Sequence, residues 1–500
     1  MRSFRGFVGQ LAAAGAMIVA LGSAPMADAQ TMTAATALNI MKATEALQGG
    51  KCDQALPPLD ALWDDADFQT ADPDTAEQFR FQRILCTLNL KGPAAAVALS
   101  ADNTHHPGAG LASYDLHVFL LLSTDQVPAA AATMDEALTR FPDTAPKLTD
   151  MTVMATLFTL QDDATRYHLL DHLERVRWQI HDPSARLLID TLRVEGLRRA
   201  VAAGDHGLAA LYRTDVAPDA YVYALIEGDG RLADASQPAA NVQPVVRAQI
   251  DEVKAHIASR PTDLLGLTYL IRIERSADEH EIALVQLNGI MSLIFQNGLD
   301  KFEQPAAFPG LIEAKAHLLL DLQRPAQALD VYKTAAQYLK GPGTVDFSIG
   351  YMNALIDLGQ DREALAVGSR IDFLSMDGDQ RRALAATQAC AYAYLKDNVR
   401  YTQSLAFSAD AQGIPAIKPY LCAGDANGAA AALVARINDP DSRDQAVMLM
   451  QDVKPQVPHS TRDRDYLAAM IALRKRPDVQ AAAKAQDIVV RAWPLRFEAE

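Results

Sequence analysis

His168 and His172 stand four positions apart, with Asp171 between them. On a helix that spacing puts both imidazoles on one face. Two imidazoles and a carboxylate are ligand types for Zn²⁺, and Glu174 or His181 could approach the same point. A metal-dependent hydrolase built on the His168, Asp171 and His172 helix is therefore the enzymatic alternative this chain offers. Asp is one methylene shorter than Glu, which misplaces a base meant for a metal-bound water. A zinc site also needs a third ligand and outer partners that the neighbouring sequence does not supply. The expectation is two part-exposed histidines on an amphipathic helix, with Leu169, Leu170 and Leu173 facing the core and no metal bound.

Other constellations carry less. His105 and His106 precede Pro107 and read as a loop. Gly228, Gly230 and Ala233 imitate a dinucleotide fingerprint, but no βαβ unit surrounds them. The chain has neither a G-x-x-x-x-G-K-[ST] phosphate loop nor a G-x-S-x-G elbow. Asp64-Asp65 and Asp162-Asp163 read as solvated turn residues. The expectation is no catalytic residue, no cofactor and no enzyme activity. The four cysteines are more informative. Cys52 and Cys86 are 34 positions apart, and Cys390 and Cys422 are 32 apart. Each separation is about one helical hairpin. Three connectivities exist, and locality favours the disulfides Cys52–Cys86 and Cys390–Cys422. A metal role is disfavoured because no C-x-x-C spacing occurs.

The elements that must position these residues follow a recurring pattern. A turn residue is followed five positions later by Ala: Gly50/Ala55, Gly204/Ala209, Gly359/Ala364 and Gly424/Ala429, with Asp125/Ala130 and Gln323/Ala328 as glycine-free versions. Ala96 to Ala130 spans 34 positions and Ala328 to Ala364 spans 36. Such periods mark stacked helical hairpins, because one hairpin cannot bury its own apolar face. In the clearest unit, Tyr114, Val118 and Leu121 form one apolar face. Asp125 to Val127 turn the chain, and Ala130, Met134 and Ala137 form the second face before Phe141-Pro142.

This unit resembles a tetratricopeptide repeat: a large residue early in the first helix, small Ala where the helices touch, and Pro after the second. Ala328, Tyr332 and Ala335 fit a second helix of the same kind, and Gly359 with Ala364 fits the following turn. Val118 and Ala316 stand where the family has glycine, and Gly368 and Ile371 replace its aromatic and Ala. The resemblance implies an all-α, right-handed α-solenoid of stacked antiparallel helical hairpins that binds a protein or peptide. The superhelical part of soluble lytic transglycosylases is a stack of this kind, which implies a non-catalytic murein-processing assistant as a second alternative. The His168 to His172 segment is similar to the H-x-x-E-H zinc peptidase motif, with Asp replacing Glu.

The ends and the composition set the remaining bounds. Arg2 and Arg5, an apolar Leu11–Leu21 run and Ala27-Asp28-Ala29 read as a signal peptide over residues 1–29. No Cys lies near the cleavage point, so a lipoprotein is not expected. No later segment is apolar enough to span a bilayer. The expected location is the periplasm. Net charge is −16 for the whole chain, and removing that peptide makes the rest more acidic. An acidic surface repels nucleic acid and anionic lipid. Aromatics are only 6% while Ala, the best helix former, is abundant. That composition suits thin helical layers.

Between Thr214 and Pro244 the rhythm weakens, and Pro218, Gly228, Gly230, Pro238 and Pro244 interrupt it. The expected organisation is an N-terminal helical-repeat half over 30–213, an irregular connection over 214–244, and a C-terminal half over 245–500. The connection should hold one short helix near Tyr221–Ile226. The last helices, Arg462–Arg474 and Pro477–Ala492, should cap an open stack, with Thr461 as the first cap. Almost no sheet is expected. A cleft at the connection is the expected partner site, with Tyr221 and Tyr223 at its edge and Glu227, Asp229 and Asp234 supplying negative charge. Tyr351, Tyr392 and Tyr394 are further candidates for a concave face. The functional expectation is a binding or scaffolding protein of the bacterial cell envelope. It would serve a protein or peptide partner, with murein or polysaccharide machinery as the analogous setting.

Overall fold

A computed structural model describes residues 33–66, 68, 73–183, 186–216, 219–232, 242–339, 344–410, 412–454 and 456–496. The expected signal peptide, residues 1–29, and Asp234 lie outside these. Among the described residues, the helices before residue 182 include α1 (Ala34–Gln48), α2 (Cys52–Trp63), α3 (Pro73–Lys91), α4 (Pro93–Thr104), α5 (Leu111–Ser123), α6 (Val127–Arg140), α7 (Asp150–Thr159) and α8 (Asp163–Arg175). Then come α9 (Arg186–Ala203), α10 (His206–Val216), α11 (Ala220–Gly228), α12 (Val242–Ser259), α13 (Leu264–Ser276), α14 (His280–Asn297), α15 (Phe308–Asp321), α16 (Pro325–Ala335) and α17 (Thr344–Asp357). The chain continues through α18 (Asp361–Gly368), α19 (Gly378–Tyr394), α20 (Asn398–Phe407), α21 (Ile417–Cys422), α22 (Ala426–Asn438), α23 (Arg443–Met450), α24 (Thr461–Arg474) and α25 (Pro477–Ala485).

Helices adjacent in sequence pack as hairpins, such as α1 on α2, α5 on α6, α15 on α16 and α19 on α20. The first helices of successive hairpins also touch, α13 on α15, α15 on α17 and α17 on α19. That pattern defines a stack, in which each hairpin buries its open face on the next.

The turn-plus-Ala pattern has a backbone explanation. Gly50, Asp125, Gly204, Gln323, Gly359 and Gly424 all have positive φ. At Asp125 the turn closes with its own N–H on the Leu122 carbonyl and the Gln126 N–H on the Leu121 carbonyl, 3.1 and 2.8 Å. This left-handed cap consumes carbonyls that the helix end leaves unpaired. Gln126 then starts the next helix, and Ala130 is the first residue whose N–H reaches back to the Gln126 carbonyl, at 3.0 Å. A residue at that point faces the preceding helix, and Ala130 is fully buried there, as are Ala55, Ala328, Ala364 and Ala429. Asp278 and Ala283 form a further copy, with φ 68° at Asp278 and no accessible surface on Ala283.

Packing divides the chain into two compact units at His181/Asp182. The division therefore does not fall at the 214–244 connection, whose described residues belong to the second unit. There Asp219 caps the short helix α11, accepting the Tyr221 and Val222 N–H groups at 2.9 and 3.0 Å.

In the first unit, Cys52 on α2 lies against Cys86 on α3 with their Cα atoms 5.0 Å apart and sulfurs at bonding distance. Val118 takes the place of the family's glycine and is fully buried against its neighbours.

The second unit closes on itself. Ala220, Leu225, Val242 and Val246 share one core with Ala429, Val447, Met470, Leu473, Val479, Trp493 and Leu495. The final helices therefore do not cap an open end. They return the chain to where the unit began. Ser460, not Thr461, caps α24 by accepting the Asp463 N–H at 3.0 Å. Helix α25 stops at Ala485 because Asp487 turns the chain with φ 52°. The segment beyond pairs β2 (Ala492–Trp493) in parallel with β1 (Asp452–Val453), a two-residue ladder. Buried Gln451 holds this closure. Its Nε2 donates to the Val447 and Val489 carbonyls, and its Oε1 accepts from Trp493 Nε1 and the Arg491 N–H.

The stretch after β1 crosses the edge of three hairpin turns. Lys454 Nζ bonds Asp278 at 2.5 Å, Gln323 Nε2 donates to the Val457 carbonyl at 3.2 Å, and Arg462 donates to the Ile356 carbonyl and to Asp361. Asp278 and Gln323 are themselves positive-φ turn residues, and Gly359 lies between Ile356 and Asp361. Residues 454, 457 and 462 thus meet three hairpin turns from outside. The second cysteine pair, Cys390 on α19 and Cys422 on α21, has Cα atoms 5.3 Å apart and sulfurs at bonding distance, and it fastens two successive hairpins.

Candidate functional site

The histidine pair on α8 is used within the fold. His168 Nε2 and His172 Nδ1 lie 3.2 and 3.0 Å from the same oxygen, Asp135 Oδ1, on the preceding hairpin. Leu169, Leu170 and Leu173 are fully buried on the opposite face, as the amphipathic pattern requires. One carboxylate oxygen between two imidazoles ties α8 to α6. His181 bonds Asp150 instead, at 2.8 Å.

A different trio brings metal-ligand atoms together. Asp182, His256 and Asp263 place one ligand atom each within 4.8 Å of one another. His256 Nε2 is 3.1 Å from Asp263 Oδ2 and 3.8 Å from Asp182 Oδ1. Asp263 Oδ1 is already committed to the Leu265 and Gly266 N–H groups at the start of α13, both at 3.1 Å. An imidazole N–H given to Asp263 satisfies this trio as a hydrogen-bonded cap, and the positive end of the α13 dipole disfavours a cation there.

Four of the expected cleft residues are described. Tyr221 lines a cavity of about 50 Å³ with Asp219, Gln249, Tyr269, Arg272 and Leu495. That space suits a few waters or one small side chain rather than an organic cofactor. Its floor is a closed hydrogen-bond network. Asp219 Oδ2 accepts from Gln249 Nε2 at 2.9 Å and from the Tyr269 hydroxyl at 3.0 Å. Burial, helped by the Asp219 charge, holds the Tyr269 hydroxyl well above its usual pKa. Tyr223 points away from this cavity into packing, with its ring edge-on to Trp493 at 6.2 Å.

Glu227 and Asp229 do not supply free negative charge, which corrects that expectation. Both are buried. Glu227 is met by the Arg491 guanidinium at 3.0 Å. Asp229 accepts from Arg443 Nε at 2.9 Å, Arg198 Nε at 3.0 Å and Arg231 NH2 at 3.1 Å. An isolated buried carboxylate is costly, so this one is caged by cations. The nearby glycines serve the same closure. A Cβ at Gly230 would meet the Asp487 carbonyl at 2.7 Å, and one at Gly228 would meet Gln451 Nε2 at 2.6 Å.

The tyrosines of the first helices also divide. Tyr351 is core, stacked on Tyr332 at 5.2 Å. Tyr392 and Tyr394 lie under the guanidinium groups of Arg400 and Arg462, at 5.7 and 4.0 Å. Sequence reasoning missed Gln249, Tyr269 and Arg272, which come from α12 and α13. The one local signal was Asp219 in capping position before an apolar run.

No family model matches the chain, and no curated protein matches it. Among solved structures, the chain is similar to the TPR domain of P58(IPK), with 13% identity and a TM-score of 0.18 over 88% of this chain and 98% of that one. It is also similar to the APC/C hetero-tetramer Cut9-Hcn1, with 11% identity and a TM-score of 0.25 over 91% of this chain and 97% of that one. The hairpin stacking described above decides the architecture. The fold is an all-α, tetratricopeptide-like stack of helical hairpins. Among the described residues, no helix is long and apolar enough to cross a membrane.

Proposed function

We propose that this chain is an exported, non-catalytic binding or scaffolding protein of the bacterial cell envelope, and that it holds a protein or peptide partner. The observation that carries the reading is the fate of its chemistry-bearing groups. His168 and His172 are tied to Asp135, Glu227 to Arg491, and Asp229 to its arginine cage. Tyr221 lies half-buried in the wall of an open cavity with Arg272. A tyrosine in that setting offers an apolar ring and a polar tip to a partner. Two cysteine pairs at bonding distance fit an oxidising compartment, and the acidic composition favours a basic or neutral partner.

The test is a photo-crosslinking residue at position 221 in the full chain, expressed with its own leader. The expected result is a discrete crosslinked partner in the periplasmic fraction. Adding Arg272→Ala should cut the yield at least about tenfold, the cost of an interface anchor. No crosslink at 221, with native helical content retained, would reject this site.

A further inference from the structure

Helices α14, α15 and α16 line a groove of about 530 Å³. Each supplies side chains at a spacing of four, one face of a helix: Leu284 and Asn288, Lys315 and Leu319, Gln327 and Val331. Small-molecule sites typically occupy roughly 300–1,000 Å³, so this space is of ligand size, unlike the 50 Å³ cavity beside Tyr221. Leu284 and Leu319 are buried and give it an apolar wall. Arg324 lines it too, but its NH2 is taken by Glu281 at 2.6 Å, a pair that links the start of α16 to α14.

Two opposite charges in this groove have no partner among the described residues. Lys315 and Asp330 both line it, and neither makes an ion pair or a side-chain hydrogen bond, with each other or with any described group. The lysine is the unusual one. Lys254, Lys315 and Lys418 are the part-buried lysines among the described residues. Lys254 meets Glu274 at 2.8 Å, and Lys418 Nζ donates to Asn353 Oδ1 at 3.1 Å. Lys315 has no such partner. Burial holds its ammonium below the usual lysine range, with no carboxylate offsetting the effect. A group in that state gains more from an incoming carboxylate than a solvated lysine would.

We propose that this groove binds a small zwitterion of the amino-acid or short-peptide class, its carboxylate on Lys315, its ammonium on Asp330 and its apolar side chain on Leu284, Leu319 and Val331. Charge selects this ligand. A phosphate-bearing anion would answer Lys315 but would be repelled by Asp330 and by a chain of net charge −16. A plain cation would answer Asp330 and leave Lys315 desolvated and unpaired. A divalent metal needs several oxygen ligands, and the groove offers one carboxylate not already paired. A zwitterion satisfies both charges at once. The amides of Asn288 and Gln327 line the same space and can each donate and accept, which suits a peptide group. None of these residues lines the Tyr221 cavity, so this site is separate from the one proposed for the protein partner.

The experiment is titration calorimetry on the full chain with leucine, leucyl-leucine, N-acetyl-leucyl-leucine and leucyl-leucinamide. The dipeptide should bind, and capping either end should weaken it about tenfold, the loss of one charged hydrogen bond. Tighter binding of the dipeptide than of leucine assigns the site to short peptides, and the reverse assigns it to free amino acids. Two variants connect each ligand charge to its residue. In Lys315→Met, which keeps the apolar stem, the amide and the free dipeptide should bind alike while acetylation still weakens binding. In Asp330→Asn the pattern should reverse. Circular dichroism should show the same helical signal in both. No binding of leucine or leucyl-leucine up to about 10 mM overturns the proposal. So does equal binding of all the capped and free forms, or a dipeptide affinity that neither substitution changes. Binding of inorganic phosphate that Lys315→Met abolishes, without binding of the dipeptide, would make this a plain anion site and overturn it as well.

Discussion

Arg443 and Asp229, 214 positions apart, form a paired hydrogen bond in the interior of the second unit, Nε to Oδ2 at 2.9 Å and NH2 to Oδ1 at 2.5 Å. Both side chains are almost completely shielded, with 7 and 0% exposure. The pair joins the start of the unit to its last third, where the early and late helices share one core.

Removing one partner of a buried pair leaves the other charge uncompensated, at about 3–5 kcal/mol. Arg198 and Arg231 still reach Asp229 in an Arg443→Ala variant, so the lower end is expected, about 3 kcal/mol. Burial raises the Asp229 pKa, but the Arg443 and Arg231 hydrogen bonds and the Arg198 charge overcome this and hold it far below the usual carboxylate range. A depressed pKa stabilises the fold above the unfolded value and is lost as pH falls toward the folded one. Urea titrations of Asp229→Asn should therefore show less loss of stability between pH 5 and pH 2 than the parent shows. An equal acid slope in both proteins would count against the cage.

Asp190 behaves with the opposite sign. Burial pushes its carboxyl up to about 7, against the pull of Arg193, whose NH1 is 3.0 Å away. A raised pKa means the folded state holds the proton more tightly, so its contribution is full below about pH 4 and falls as pH rises to about 7. The urea midpoint should decline from pH 5 to pH 8, and Asp190→Asn should flatten that decline. A midpoint that rises over this range would refute the assignment.

The cysteine pairs close loops of 34 and 32 positions, each expected to stabilise the fold by about 3–4 kcal/mol. Peptide mapping without reductant should recover Cys52 joined to Cys86 and Cys390 joined to Cys422. Cys390→Ser with Cys422→Ser should lower the unfolding free energy by about 3 kcal/mol. Four free thiols in exported protein, or another pairing, would contradict this.

Lys396 tests the turn rule. Its φ is 60°, and its N–H and that of Asp397 close on the Ala393 and Tyr392 carbonyls at 3.0 Å each. Left-handed backbone costs a side-chain-bearing residue about 1–2 kcal/mol, partly offset by the greater chain entropy of glycine when unfolded. Lys396→Gly should raise stability by about 0.5–1 kcal/mol in urea unfolding. A loss of stability would show that the turn needs the lysine side chain.

Sequence alone determined the hairpins, because each turn is a local device. A left-handed residue, the next helix's first carbonyl and a small residue five positions on all fall within one short window. Their hydrogen bonds are backbone bonds that any reader of spacing can place. Asp278 with Ala283 has the residue types and spacing of Asp125 with Ala130 and was equally legible, whereas Lys396 escaped because Tyr401 stands where Ala would. The cysteine spacing matched the same repeat, so Cys52 with Cys86 and Cys390 with Cys422 were legible as neighbours. Tertiary structure alone decided the rest. Glu227 and Asp229 looked like surface charge, since a carboxylate does not state whether an arginine more than 200 positions later will meet it. The same holds for the Arg462–Arg474 helix, whose charges read as an end cap until Met470 and Leu473 were found in a core shared with Ala220. Long-range burial depends on which surfaces the stack brings together, and no local pattern encodes that partner.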